Sequence, residues 1–281
     1  MIENRAVRFT TNDGLCLVGD SMGSPDAPLV VLLHGGGQTR HAWSGSVARL
    51  VSEGFNVLSY DARGHGDSDW SPLRDYALTR HADDLLAVLK TVDRPAALVG
   101  ASMGGVSALL AAPGAPDLVT ALVLVDIVPR FAQGGVDRVR AFMLAHPDGF
   151  ASLEEASAAV HAYNPLRAPS KNPEGLMRSL REGADGRLRW HWDPAVVGKP
   201  PDETLSGMLS EALAGLKASL PLLLVSGAQS DVVDPEAVEA FRRQAPHAEV
   251  VAVPRAGHMV AGDRNDAFGE TIAEFLKRAV A

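Results

Sequence analysis

Apolar positions along the chain follow two alternating rhythms. The continuous apolar run Leu29–Leu33 and the near-continuous runs Asn56–Tyr60, 96–100 and Val119–Val125 predict strands buried on both faces. Between them lie stretches with apolar residues every three or four positions. Leu78, Ala82, Leu85, Leu86 and Leu89 are the clearest set, and 41–53 and 104–112 are further helical candidates. Residues 7–10 and 15–19 flank Asn12-Asp13-Gly14, a hairpin signal. The rhythm breaks from about 128 to 216, where short helical candidates (136–145, 153–163, 174–182, 204–213) are separated by Pro- and Gly-containing turns. It resumes with a strand at 220–226, a helix at Pro235–Gln244, a strand at Glu249–Val253 and a last helix at about 264–280. Buried strands alternating with helices predict an α/β fold, a mostly parallel sheet with helices on both faces. The expected division is a core at 1–127 and 217–281, interrupted by a helical cap at 128–216.

Composition narrows the picture. The 281 residues are 46% hydrophobic and 21% charged, with net charge −8. That excludes a disordered chain and disfavours a nucleic-acid surface, which needs basic patches. Cys16 is the one cysteine, so no intrachain disulfide can form. No apolar run approaches the roughly 20 residues of a membrane span, and the N-terminal segment lacks a signal-peptide core. The expectation is a cytoplasmic enzyme with a small-molecule substrate and neither nucleic acid nor membrane as partner. A homo-oligomer stays open.

Gly100-Ala101-Ser102-Met103-Gly104 has the form G-x-S-x-G, directly after a predicted strand and before a predicted helix. A strand-to-helix turn this tight leaves no room for side chains at 100 and 104, and it exposes the hydroxyl of Ser102. The Met103 amide, at the helix start, faces the place where an oxyanion would form. A serine hydroxyl needs a base, and the base an orienting acid. Of the nine histidines, His258 alone lies just past a late strand, in a loop of small residues. Asp231, after the strand at 220–226, is the favoured acid; Asp126, at the end of Val119–Val125, is its rival. Asp234 before Pro235 reads as a helix cap. The loop His34-Gly35-Gly36-Gly37 supplies a second oxyanion donor, assigned to Gly36, with His34 propping the loop. His65 fixes the turn-rich stretch 61–68. His41, His81, His161 and His247 read as surface or turn residues, and His191 could touch substrate. No metal-site pattern and no phosphate loop appears.

The blocks VVLLHGGGQTRHAW, YDARGHGDSD, VGASMGG, SGAQSDVVDP and RAGHMVAGDRND resemble the ordered motifs of the α/β-hydrolase fold superfamily. The resemblance covers both ends of the core and not the insert. It implies an eight-stranded, mostly parallel sheet with the cap after the sixth strand, and no cofactor. It also implies a triad of Ser102, Asp231 and His258, with Gly36 and Met103 as oxyanion hole. Within the superfamily the blocks are similar to proteins labelled epoxide-hydrolase-like or haloperoxidase-like. Epoxide hydrolases use an aspartate nucleophile, whereas this chain has Ser102, which favours attack on an acyl carbonyl. The function expected is a serine hydrolase that cleaves a small to medium, largely apolar carboxylic ester. A cofactor-free perhydrolase, a carbon–carbon bond hydrolase and a non-catalytic ligand-binding or signalling module share the plan. The cap is expected to wall an apolar pocket with Phe142, Met143, His146, Tyr163, Trp190 and Trp192. On an extended segment the two tryptophans share one face and His191 takes the other; on a helix they diverge.

Overall fold

The computed structural model describes residues 4–165, 173–198, 202–259 and 265–280. A hairpin of β1 (Asn4–Thr10) and β2 (Cys16–Met22) opens the chain. There follow β3 (Leu29–Leu33), α1 (Ser44–Ser52), β4 (Asn56–Tyr60), α2 (Leu78–Val92), β5 (Ala96–Ala101), α3 (Met103–Ala111) and β6 (Val119–Val125). After the intervening segment come β9 (Leu222–Gly227), α7 (Pro235–Gln244), β10 (Glu249–Val253) and α8 (Asn265–Ala279). The eight strands form one sheet in the order β1-β2-β4-β3-β5-β6-β9-β10. Only β1 with β2 and β2 with β4 are antiparallel; every other neighbouring pair is parallel.

Period-two alternation sorts the apolar strand residues onto two cores. On one face Val31, Leu33, Leu98, Leu122 and Leu124 pack with Leu85 and Leu89 of α2 and Val106 and Leu109 of α3. On the other, Val30, Leu32, Val99, Val123 and Val125 meet Leu50 of α1 and Phe268, Ile272 and Leu276 of α8. Burial on both faces accounts for strands that read as continuous apolar runs.

Between β6 and β9 lie α4 (Gln133–Leu144), α5 (Leu153–Tyr163), the hairpin β7 (Leu180–Glu182) and β8 (Leu188–Trp190), and α6 (Glu203–Ala214). Two expectations change here. The helix expected at 174–182 is a 3₁₀ stretch, Pro173–Ser179, running into β7, so the insert is not purely helical. And α6, inside the 128–216 span, lays Leu209 and Leu213 into the sheet's own core beside α3. On packing, α6 goes with the core; a separate apolar cluster around Phe150, Trp190 and Trp192 holds the remaining cap together.

Candidate active site

Strand β5 ends in a turn that needs glycine at 100 and 104. Ser102 has φ +48° and ψ −115°, outside the regions L-residues favour. A Cβ at Gly100 would strike the Gly104 carbonyl, and one at Gly104 the Leu33 carbonyl. The Ser102 N–H donates to Val125 O at 3.0 Å, which locks the turn to the end of β6.

Asp126, the first residue after β6, also has positive φ, +51°. Asp126 is fully buried, and both of its oxygens have hydrogen-bond donors. Gly227 N donates to Oδ1 at 2.9 Å; the Ser230 hydroxyl donates to Oδ2 at 2.5 Å. His258 Nδ1 lies 2.7 Å from the same Oδ2, and His258 Nε2 lies 3.2 Å from Ser102 Oγ. A carboxylate only accepts, so the hydrogen sits on Nδ1 and Nε2 presents its lone pair to the serine hydroxyl. The His258 loop is pressed onto the end of β9: Gln229 N donates to Ala256 O at 2.9 Å, and a Cβ at Gly227 would collide with the Gly257 carbonyl.

Asp231 is not part of this chain of contacts. Its carboxylate pairs with Arg138 of α4 at 2.8 Å and is 36% exposed, while Gly135 of α4 packs on its backbone. The expectation that Asp231 orients His258 is therefore corrected to Asp126. Strands β6 and β9 are parallel neighbours in register Val125 with Val225, so loops after either can reach the imidazole. What decides is that Asp126 follows its strand at once, in a left-handed turn. Asp234 caps α7 as expected, accepting from Ala237 N at 2.7 Å. Ser230 drew no attention in the sequence; the signal would have been a hydroxyl one residue before the expected acid.

The glycine loop after β3 lies against the serine, where a Cβ at Gly35 would sit 3.5 Å from Ser102 Cβ. Gly35 N donates to Gln38 Oε1 at 2.9 Å and Gly37 N to His65 Nε2 at 3.2 Å. Among the described residues no partner takes the amides of Gly36 and Met103. His34 does brace this loop: Nδ1 lies 2.8 Å from Gly35 O, and Nε2 accepts from Ala62 N at 2.9 Å. His81, read from the sequence as a surface residue, is buried instead, with its ring against His65.

Of the six expected pocket residues, Met143 comes against the glycine loop: a Cβ at Gly37 would be 3.2 Å from Met143 Cε, and one at Gly36 3.7 Å from its Sδ. Phe142, Tyr163, Trp190 and Trp192 pack on one another within the insert, and His146 is exposed. Phe142 stacks on Tyr163 at 4.3 Å between ring centroids and meets Trp190 at 5.6 Å. His146 lies on Phe150 at 4.6 Å. Trp190 and Trp192 stack on each other at 4.9 Å with planes 9° apart, as two residues on one face of an extended segment do. Among the described residues no group of three or more His, Cys, Asp or Glu could hold a metal ion. No described helix is long and apolar enough to cross a membrane.

Comparison with known proteins agrees with this architecture. The model of the Alpha/beta hydrolase family matches residues 30–271. The chain is 31% identical over 257 residues to Esterase Rv0045c of Mycobacterium tuberculosis, covering 89% of this chain and 83% of the other. It is 30% identical over 238 residues to 2-(acetamidomethylene)succinate hydrolase of Mesorhizobium japonicum, covering 83% and 82%. A crystal structure of E-2-(acetamidomethylene)succinate hydrolase superposes with TM-score 0.86 at 26% identity, covering 98% of this chain and all of that one. A sheet of this order, a serine on the turn after β5 and a family match from β3 into α8 lead to one conclusion: the chain belongs to the alpha/beta hydrolase family and is a hydrolase.

Proposed function

We propose that the chain is a serine esterase that cleaves a small to medium, largely apolar carboxylic ester through an acyl-enzyme. The observation that carries this reading is the continuous chain Ser102 Oγ, His258 Nε2, His258 Nδ1, Asp126 Oδ2. Ser102 Oγ attacks the ester carbonyl as His258 Nε2 takes its proton. Asp126 stabilises the imidazolium, and the amides of Gly36 and Met103 receive the oxyanion. His258 then gives the proton to the leaving alcohol, which departs. Water, deprotonated by the same imidazole, attacks the acyl-enzyme and releases the acid and Ser102. Relatives named as esterase and lipase support ester chemistry, as does a nucleophile that forms an acyl intermediate.

The apolar preference rests on Met143 and Met103, whose sulfurs lie within 4.0 Å of a Cβ placed at Gly36. Thioether side chains make a flexible, apolar wall. The test is a panel of p-nitrophenyl esters of graded acyl length, with fluorophosphonate labelling of the serine. Ser102→Ala and His258→Ala each lower kcat by about 10³-fold or more while the fold is kept. Labelling of a residue other than Ser102, or undiminished hydrolysis by Ser102→Ala, rules the assignment out.

A further inference from the structure

Three consecutive glycines carry the largest backbone freedom a loop can have, so Gly36 N–H has no fixed direction unless its neighbours are tied. Both are. Gly35 is held through its N–H by Gln38 and through its carbonyl by His34. Gly37, at φ +71°, is held through its N–H by His65 Nε2 at 3.2 Å. The tautomer of His65 is fixed by its other nitrogen: Nδ1 lies 3.0 Å from Arg63 O, and a carbonyl only accepts. Nε2 is therefore bare and accepts from Gly37. The ring is fully buried, edge-on to His34 at 5.1 Å and to His81 at 6.5 Å.

We infer that His65, which lies in no contact with Ser102 or His258, is a positioning residue that aims the Gly36 amide by hooking the next peptide. This rests on the esterase reading of Ser102 and Gly36. Oxyanion stabilisation requires donors set in place before the reaction, and a shift of about 1 Å is enough to lose most of it. A second set of contacts fixes the hook itself. His65 pairs with Trp192 in an isolated antiparallel bridge, flanked by Gly66 N to His191 O at 2.7 Å and Asp193 N to Gly64 O at 2.8 Å. The cap segment carrying the tryptophan stack thus anchors the turn that anchors the oxyanion loop. Burial, reinforced by the neighbouring His34, pushes the His65 imidazole down to about 3, so the acceptor is present at any pH where the enzyme works.

Two variants separate positioning from general support. In His65→Asn the side-chain amide replaces Nδ1 and keeps the donor to Arg63 O, but nothing reaches Gly37. In His65→Gln a carbonyl oxygen extends to where Nε2 stood. kcat and KM are measured on a p-nitrophenyl ester per site titrated with fluorophosphonate, alongside hydrogen exchange of the Gly37 amide. His65→Asn lowers kcat about 30-fold with KM within about twofold, and Gly37 exchanges faster; His65→Gln returns kcat to within about threefold and restores protection. Unchanged kcat per titrated site in His65→Asn overturns the inference, as does equal loss in both variants in step with melting temperature. If the wild-type protein leaves esters intact and Ser102 unlabelled, the esterase reading fails. Exchange at Gly37 then decides the hook by itself, faster in Asn and not in Gln if it exists, unchanged if it does not.

Discussion

The Ser230 hydroxyl lies 2.5 Å from Asp126 Oδ2, the same oxygen that faces His258. That hydroxyl also accepts from Val232 N and Val233 N, each at 3.1 Å, so its one hydrogen is directed at the carboxylate. A hydrogen bond to a buried charge contributes about 1.5–3 kcal/mol. Ser230→Ala is expected to lower kcat about tenfold, far less than loss of the carboxylate itself, and to lower the melting temperature. Steady-state kinetics with thermal unfolding checks both; wild-type kcat in the variant would mean Ser230 holds only its own turn.

Asp126→Asn and Asp231→Asn should differ widely. The first replaces the imidazole's acceptor with a group that can present a donor, and about 10³–10⁴ in kcat is lost. The second removes an exposed ion pair with Arg138, a contact of the class that contributes about 0–1 kcal/mol, and activity stays within about threefold. Comparable losses in the two variants would return the acid to the loop after β9.

Acid should destabilise the fold from about pH 6.5 downward, through its buried histidines. Burial holds His34 down to about 4 and His65 to about 3, and depresses His81 strongly. Half-buried His41 and His191 are lowered in the same direction, again by burial first. Below pH 6.5 the unfolded chain binds protons that the folded chain refuses, so stability is lost as pH falls from 6.5 toward 4. Each fully linked proton contributes a slope of about 1.4 kcal/mol per pH unit. Urea unfolding at pH values between about 6.5 and 4.5 measures it, and His65→Gln should flatten the slope by one proton. A stability independent of pH over that range contradicts the burial of these rings.

The cap's aromatic residues and its methionine should separate by function. Trp190→Ala and Trp192→Ala remove stacked, buried rings and cost about 3–5 kcal/mol, without altering acyl-length preference. Met143→Ala opens space beside Gly36 and Gly37 and shifts preference toward bulkier acyl groups, with little loss of stability. A changed preference in either tryptophan variant would make the stack a pocket wall.

Much of this was legible in the chain because each feature has a local cause. Leu29–Leu33 is apolar throughout, and Val119–Val125 apart from Thr120, because helices cover both faces. Ser102 was found because only glycine fits at 100 and 104. Both carboxylates were candidates, and the sequence favoured Asp231 because the feature that separates them is non-local. Asp126 and Asp231 follow adjacent strands, and only backbone direction at Asp126 selects between them. The hairpin β7–β8 was missed because its strands of three residues are too short to show a period of two. His81 sits on a helix face whose partner, the turn carrying His65, cannot be inferred from helical spacing.

Carriage of the acid by β6 also has a temporal consequence. Ser102 and Asp126 directly follow the paired strands β5 and β6, which α3 connects, so their separation is set within a single β–α–β unit. His258 is 132 residues past Asp126, beyond the cap and two further strands. Domains form from the N-terminal side as a chain is synthesised, and distant pairings close last. On the proposed roles, a nascent chain that has completed β6 holds a nucleophile and an acid but no base. Bond cleavage begins only when the segment after β10 docks, so the growing polypeptide passes through synthesis with its serine unactivated.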